Sequence, residues 1–289
     1  MIQRSIKSII ESQPHRGFLG QGHTARAVID GNSLSQSDPF ILLMDDSLDL
    51  PGGKPVGGPH PHAGFETVTL VIQGDEKNFF TGSLEIMTAG SGIIHTEEIT
   101  QKTQMRILQL WLTLPPDKRW IEPSLQQIFL EDVPIIHQGK SEIRVYSGNS
   151  QGLTSPIKNH TPLTLIEFRL DHFAEASQTI PSYYNSLFYV IDGEISLDGR
   201  TLSTGQTAWL NRSEKPEDSM IAFKAGAAGA HVVFYAGAPQ HSKIISHGPF
   251  IGDSNKDIDW LYHLYHSGGI PHLEDLPSSR KTVHKTARE

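Results

Sequence analysis

Cysteine is absent from the 289-residue sequence, so disulfide bonds and thiolate-bound metal ions are both excluded. Any metal ion would have to be held by nitrogen and oxygen atoms. Long apolar runs are also missing, since none approaches the roughly 20 residues that a membrane-spanning helix needs. Residues 1–17 mix charged and apolar side chains and lack the continuous apolar core of a signal peptide. We therefore expect a soluble cytoplasmic protein without a membrane partner.

Positive charge is scarce as well. Lysine and arginine number 24 against 32 aspartates and glutamates, which gives a formal net charge of −8. Basic residues cluster only in the short stretch 280–288, so no positive stripe is available to follow a nucleic-acid backbone. We expect no direct contact with nucleic acid, whereas a protein partner is compatible with this acidic chain.

What the sequence does contain is the pattern of an all-β protein. Short apolar runs, several of them alternating with polar residues, are separated by 26 glycines and 18 prolines. Clear examples are residues 67–72, 105–112 and 163–170. The length favours two domains of about 100–150 residues each.

A weak internal repeat supports the division into two domains. Residues 67–74 (TVTLVIQG) resemble residues 186–193 (SLFYVIDG), and residues 82–90 loosely match residues 199–210. The proline-rich stretch 114–134 lies between the copies. We predict an N-terminal metal-binding domain over residues 1–134 and a C-terminal domain over residues 135–289. The second copy has no His-x-His before its strand, so only the first would carry a metal.

One helix is predicted near the end of the chain, over residues 257–266. Ile258, Leu261, Tyr262 and Tyr265 are spaced to form a single apolar face. Ser254 or Asn255 can cap its start, and the glycine pair 268–269 can end it. The polar tail over residues 278–289 is expected to be frayed or disordered.

Two short clusters in the first domain contain potential metal ligands. His60 and His62 flank Pro61, and Glu97 follows His95 by two residues. Side chains two apart on a strand project to the same face, about 7 Å apart, and a proline favours an extended conformation in the residue before it. Two facing strands would thus direct three imidazoles and one carboxylate at one divalent cation.

This ligand set suits Fe, Mn, Co, Ni, Cu or Zn, and an octahedral ion would keep two positions open for water, substrate or O2. The alternative is a group of surface or interface histidines in a chain that has 15 of them. Glu66 is an even number of residues from His62, so on a regular strand it would project to the same face. A buried structural role explains Glu66 as well as metal ligation does. His263 and His266 could pair on the helix, although a solvated helix face explains them better.

Residues 58–69 (GPHPHAGFETVT) and 87–97 (MTAGSGIIHTE) strongly resemble the paired motifs of the pirin family, within the cupin superfamily. Residues 38–43, 108–111, 236–239 and 248–251 also resemble segments of that family. The resemblance implies two tandem cupin-type β-barrel (jelly-roll) domains, with Fe(II) in the first and no metal in the second. Carried over position by position, the metal ligands are His60, His62, His95 and Glu97.

The family resemblance also implies a function. It points to a flavonol dioxygenase that opens quercetin with O2, with Glu97 as the catalytic proton acceptor. The alternatives are a regulator that binds partner proteins according to the oxidation state of its metal, and an occupied but inert site. Two departures affect the pocket: Ala63 stands where the family commonly has arginine, and the loop over residues 75–83 is shortened. Phe79 and Phe80 in that loop either line the pocket mouth or serve as ordinary packing residues.

Overall fold

The computed structural model describes residues 1–32, 34–215 and 217–286. It is mostly β-structure, as the alternation of apolar and polar residues predicts, and forms two cupin-type domains. No helix in these ranges is long and apolar enough to cross a membrane.

The strands are numbered in chain order. They are β1 (Ile2–Gln3), β2 (Ile6–Glu11), β3 (His15–Arg16), β4 (His23–Ile29), β5 (Phe40–Leu50), β6 (His60–His62), β7 (Phe65–Gln73), β8 (Leu84–Thr88), β9 (Ile93–His95), β10 (Thr103–Thr113), β11 (Ser124–Ile128), β12 (Ile135–Gln138), β13 (Ser141–Ser147), β14 (Asn149–Ser150), β15 (Leu153–Thr154), β16 (Leu163–Leu170), β17 (Glu175–Pro181), β18 (Asn185–Leu197), β19 (Arg200–Ser203), β20 (Gln206–Leu210), β21 (Asp218–Gly237), β22 (Ile245–His247), β23 (Phe250–Gly252) and β24 (Lys281–His284).

The helices are short or peripheral. They are α1 (Leu34–Ser37) and α2 (Asn255–His266), with 3-10 turns at Pro116–Lys118, Leu130–Asp132, Leu273–Asp275 and Ser278–Arg280. Helix α2 confirms the predicted terminal helix. Ser254 caps it through a capping box with Asp257, and Ile258 and Leu261 are buried on its apolar face.

Two large sheets form the body of the molecule. The N-terminal sheet has the order β24-β11-β8-β7-β10-β5-β4-β3. The C-terminal sheet has the order β12-β13-β16-β21-β18-β20-β2, with β1 and β17 paired to β21 and β19 paired to β18. The predicted strands over residues 67–72, 105–112 and 163–170 lie in β7, β10 and β16. The internal repeat has a structural counterpart, because β7 pairs with β8 as β18 pairs with β20.

Each end of the chain packs with the opposite half of the molecule. Strands β1 and β2 belong to the C-terminal sheet, although they begin the chain. Residues 245–286, which we call the C-terminal arm, return to the N-terminal half, where Phe250 bridges to Ala63 and His272 bridges to Ile94. The proposed boundary between residues 134 and 135 stays a prediction.

The expectation of a disordered tail is wrong over residues 278–286. Strand β24 pairs in parallel with β11, which otherwise would leave an open sheet edge. Beyond it, the Lys285 ammonium donates to the Asp132 carboxylate at 3.0 Å. Polar composition suggested disorder, but backbone pairing along an edge strand needs no apolar side chains. Residues 287–289 lie outside the described part of the chain.

The largest apolar cluster joins the two halves. It contains fully buried side chains from both sheets, among them Leu70 and Leu110 on one side and Leu165 and Tyr235 on the other. Burying one such side chain contributes about 1.5–3 kcal/mol, so this cluster holds the two sheets in fixed positions.

Candidate metal centre

The two ligand clusters of the sequence form a small sheet of their own. Strand β6 pairs antiparallel with β9, so that His60 lies opposite His95 and His62 lies opposite Ile93. The C-terminal arm borders both strands, since the Ala63 amide donates to the Pro249 carbonyl and the Ile94 amide donates to the Pro271 carbonyl. The site is therefore built from residues 60–95 together with the C-terminal arm.

Glycine is required beside this sheet. Gly64 has a φ of +86°, and a Cβ placed there would lie 2.0 Å from the Ile251 carbonyl oxygen of the C-terminal arm. Ala63 is fully buried in a cluster with Phe250, Leu261 and Ile270. A long cationic side chain at this position would have to enter this apolar cluster, whereas alanine fits it.

Three imidazoles converge at the centre. His60, His62 and His95 each present a ring nitrogen, and these three nitrogens lie within 4.8 Å of one another. The Nε2 atoms of His60 and His95 are 2.9 Å apart. Two nitrogens bound at right angles to one metal ion, each at about 2.1 Å, would be separated by about 3.0 Å. The spacing therefore fits adjacent positions around a single metal ion.

The protonation states also fit a metal. Burial lowers the pKa of His62 well below its usual value, and the neighbouring His95 and His60 lower it further. Burial and the adjacent His60 lower the pKa of His95 to about 3. The Nδ1–H group of His60 donates to the Gly58 carbonyl at 2.9 Å, which leaves the lone pair of Nε2 facing the other rings. Three imidazoles with converging ring nitrogens form a donor set that could hold a divalent cation.

Glu97 is near the three histidines but not within the same tight group. Strand β9 ends at His95, and the Glu97 amide donates to the Gly57 carbonyl at 3.0 Å. The alternation of a regular strand therefore does not extend to Glu97. Its side chain lines the same cavity as the histidines, and its role as fourth ligand stays a prediction. Burial, followed by the charges of Glu85 and Asp46, raises the pKa of Glu97 to about 7.

The other candidates of the sequence lie away from the centre. Glu66 is fully buried and accepts a hydrogen bond from Thr88 Oγ1 at 2.9 Å, outside the histidine group. His263 and His266 are exposed on helix α2, as expected for a solvated helix face.

A cavity of about 270 Å³ adjoins the three histidines. Its walls are mostly apolar, and Trp111 contacts the His62 ring with 5.3 Å between ring centroids. Phe79 lines this cavity, whereas Phe80 packs against Phe129. A second cavity of about 450 Å³ is lined by Phe80 and shares His95, Glu97 and Phe79 with the first. The volume of the first cavity lies just below the roughly 300–1,000 Å³ of typical ligand sites, which suits a compact aromatic ligand.

Three polar residues of the cavity are absent from the sequence prediction. His23, Asp46 and Gln109 line it together with the metal-site histidines. The alternation of β5 contains the signal for one of them, since Asp46 shares a face with Met44 and Leu48, which also line the cavity. Asp45 points to the other face, where it accepts two hydrogen bonds from Arg106 at 2.8 and 2.7 Å.

Two protein-family models match the chain: Pirin over residues 22–112, and the pirin C-terminal cupin domain over residues 165–271. Pirin-like protein 2 of Arabidopsis thaliana is 32% identical over 270 residues, which cover 86% of this chain and 80% of that protein.

Solved structures share the fold. A quercetin 2,3-dioxygenase from Acinetobacter baumannii superposes with a TM-score of 0.78 at 24% sequence identity. The superposition covers 92% of this chain and 98% of the dioxygenase chain. A bacterial pirin from Escherichia coli in complex with nickel(II) superposes with a TM-score of 0.58 at 18% sequence identity. The superposition covers 80% of this chain and 99% of the pirin chain. At these identities the two structures establish a common architecture.

Proposed function

Because the chain belongs to the pirin family, we propose that it is a metal-dependent flavonol 2,3-dioxygenase of the quercetinase type, acting in the cytoplasm with Fe(II) as its metal. The observation that carries the proposal is the convergence of three imidazoles on the wall of a mostly apolar cavity. The name of the Acinetobacter baumannii structural neighbour supports the choice of substrate.

The side chains that line the cavity have different proposed roles. His60, His62 and His95 would hold the metal, with Glu97 as the proposed fourth ligand. A bound metal would supply Lewis acidity that lowers the pKa of a flavonol hydroxyl group. The apolar walls, with Trp111 among them, would receive the aromatic rings and exclude water.

Glu97 is the proposed acceptor of the hydroxyl proton. Its side chain lines the same cavity as the three histidines, which supports this role because a general base must lie close to the proton that it accepts. The Gln109 side chain accepts from Thr69 Oγ1 at 3.1 Å through its carbonyl oxygen, so its amide nitrogen remains available to donate to a ligand oxygen.

The test is the consumption of quercetin in air by the iron-loaded protein. We expect loss of flavonol absorbance together with release of CO. The His62→Ala variant should lose at least about 100-fold in rate, since even indirect contacts to metal ligands are worth 10–100-fold. His263→Ala, which removes an exposed histidine of helix α2, is the matched control and should be unaffected. Equal rates for both variants and the wild type would refute the proposal.

A second function is favoured by one observation. The C-terminal arm is hydrogen-bonded to Ala63, next to β6, and to Ile94 of β9, and it presents Trp260, which is 44% exposed. A regulator that binds partner proteins could report the oxidation state of the metal through this arm. Binding of a partner that is unchanged by chelation and by ferrous or ferric iron would exclude this function.

A further inference from the structure

We propose that His23 and Asp46 form a second ligand-anchoring site in the metal cavity, at which the Asp46 carboxylate accepts a hydrogen bond from a hydroxyl group of an uncharged aromatic ligand. The inference rests on the proposed function in using the same cavity, and it adds the chemical class of the ligand. Its first observation is that both residues line the cavity but lie outside the histidine group.

The orientation of His23 is fixed by two hydrogen bonds. Its Nδ1 accepts from the Leu19 amide at 3.3 Å, so the proton is carried by Nε2. The Nε2–H group donates to Asp46 Oδ1 at 2.7 Å. The His23 side chain is only 1% exposed, so solvent does not compete for either bond.

The chain around His23 is shaped to hold the ring. A Cβ at Gly17 would lie 2.2 Å from His23 Nδ1, so only glycine leaves room for the imidazole. The Gly17 amide also donates to the His23 carbonyl at 2.9 Å. Phe18 meets the ring edge-on, with 5.4 Å between ring centroids, and lines the cavity together with Leu19. His23 thus acts as a positioning residue for both Asp46 and this wall of the cavity.

Asp46 keeps one acceptor free. Its Oδ1 is engaged by His23, and its Oδ2 accepts no hydrogen bond within the part of the chain that the structure describes. The side chain retains 13% of its surface, at the cavity. The adjacent Asp45 differs, because both of its oxygens accept from Arg106 and its Oδ2 also accepts from Tyr189. A partly buried carboxylate oxygen without a donor is a site that a ligand hydroxyl group can satisfy.

The charge of the cavity selects the class of ligand. Asp46 and Glu97 are its acidic members, and no lysine or arginine of the described chain lines it. In the metal-free cavity an anionic ligand would meet the Asp46 carboxylate and no cationic side chain of the described chain, which costs free energy in a partly desolvated site. A neutral phenol offers the hydroxyl donor that Asp46 needs and an aromatic body that suits the apolar walls.

Calorimetric titration with three two-ring probes tests the inference without turnover. The probes are 2-naphthol, which donates a hydrogen bond, 2-methoxynaphthalene, which does not, and 2-naphthoate, which is anionic. The full-length protein is titrated as purified and after chelation. We expect 2-naphthol to bind at least about 10-fold more tightly than either of the other probes, since a hydrogen bond to a charged group contributes about 1.5–3 kcal/mol.

The decisive variant is Asp46→Asn. It should remove the preference for 2-naphthol over 2-methoxynaphthalene and strengthen the binding of 2-naphthoate. Asp49→Asn, with the same charge change at an exposed position of β5, is the matched control and should keep the wild-type preferences. His23→Gln can still donate to Asp46 and should retain much of the preference, whereas His23→Phe should lose it.

Three results would overturn the inference. They are unchanged binding of both 2-naphthol and 2-methoxynaphthalene in Asp46→Asn, an equal loss for both probes, which indicates a purely structural pair, and no binding of 2-naphthol to the wild type. Failure of the proposed function appears elsewhere, as absence of quercetin consumption by the iron-loaded protein. The two failures are therefore distinguishable.

Discussion

The two halves of the molecule build the same type of sheet around different interiors. In the C-terminal half, aromatic side chains fill the space: Phe188 lies 4.7 Å from Phe223 and 4.8 Å from Phe234, measured between ring centroids. In the N-terminal half, the corresponding interior holds three imidazoles and a cavity of about 270 Å³. A cupin sheet therefore supports either a packed core or a ligand site, depending on the side chains that point inward.

The buried glutamates of the two halves show the same contrast. Burial raises the pKa of Glu66 to about 7, which the hydrogen bond from Thr88 reduces only in part. Burial would also raise the pKa of Glu167, but His231, through its hydrogen bond and charge, and the charges of Arg169 and Arg144 lower it to about 2. One half buries a carboxyl group with few partners, and the other buries a fully compensated carboxylate.

Removing core volume should give the largest difference between the halves. We expect Phe188→Ala to lower the free energy of unfolding by about 3–5 kcal/mol, since it opens a void in a filled core. Met44→Ala, at the wall of the metal cavity, should cost less than about 2 kcal/mol because one side of Met44 already faces open space. Urea denaturation of both variants measures this, and equal losses would contradict the contrast between the interiors.

The pH dependence of stability should have opposite sign for the two glutamates. The raised pKa of Glu66 means that wild-type stability falls as pH rises from 4.5 to about 7, by about 3 kcal/mol in total. Glu66→Gln should therefore be more stable than the wild type at pH 8 and similar to it at pH 4.5.

The lowered pKa of Glu167 means that its contribution is present above pH 4.5 and is lost as pH falls towards 2. Glu167→Gln should therefore be about 3 kcal/mol less stable than the wild type at both pH 5 and pH 8. The free energies of unfolding of the metal-free wild type and variants, measured by denaturation at several pH values, test both predictions. Parallel pH curves for wild type and both variants would disprove the assignment.

Metal binding should stabilise the protein through the N-terminal half alone. At a free Zn²⁺ concentration 100 times the dissociation constant, the gain is about 2.7 kcal/mol and appears as a higher Tm. His62→Ala should abolish this gain. His231→Ala, in the C-terminal half, should lower the starting Tm but keep the increment, and loss of the increment there would indicate a metal site outside the histidine group.

The convergence of His60, His62 and His95 could be predicted from the sequence because the information that specifies it is local. His60, Pro61 and His62 specify an extended strand with two ligands on one face, and the Ser254 capping box together with the glycines at 268–269 bounds helix α2. The family resemblance adds the two-domain architecture, which the family models confirm.

The features that could not be predicted depend on long-range pairing. His23 and Asp46 meet because β4 pairs with β5 in a register that places Ala25 opposite Asp46, and no single-strand pattern specifies that register. Strand β24 depends on a partner, β11, that lies more than 150 residues earlier in the chain. The end of strand β9 at His95 also could not be predicted from the sequence, because alternation alone would extend the strand to Glu97.

The crossing of the chain ends has a consequence for how such a protein can be altered. A cut at the middle of the gene would give a first fragment that carries β1 and β2 without their sheet and lacks β24 and the arm behind the histidines. A fragment of this kind would be unable to assemble its own metal pocket. Recombination that exchanges one half for that of a homologue must therefore exchange three segments at once, which ties together the evolution of the half with the histidine cluster and the half without it.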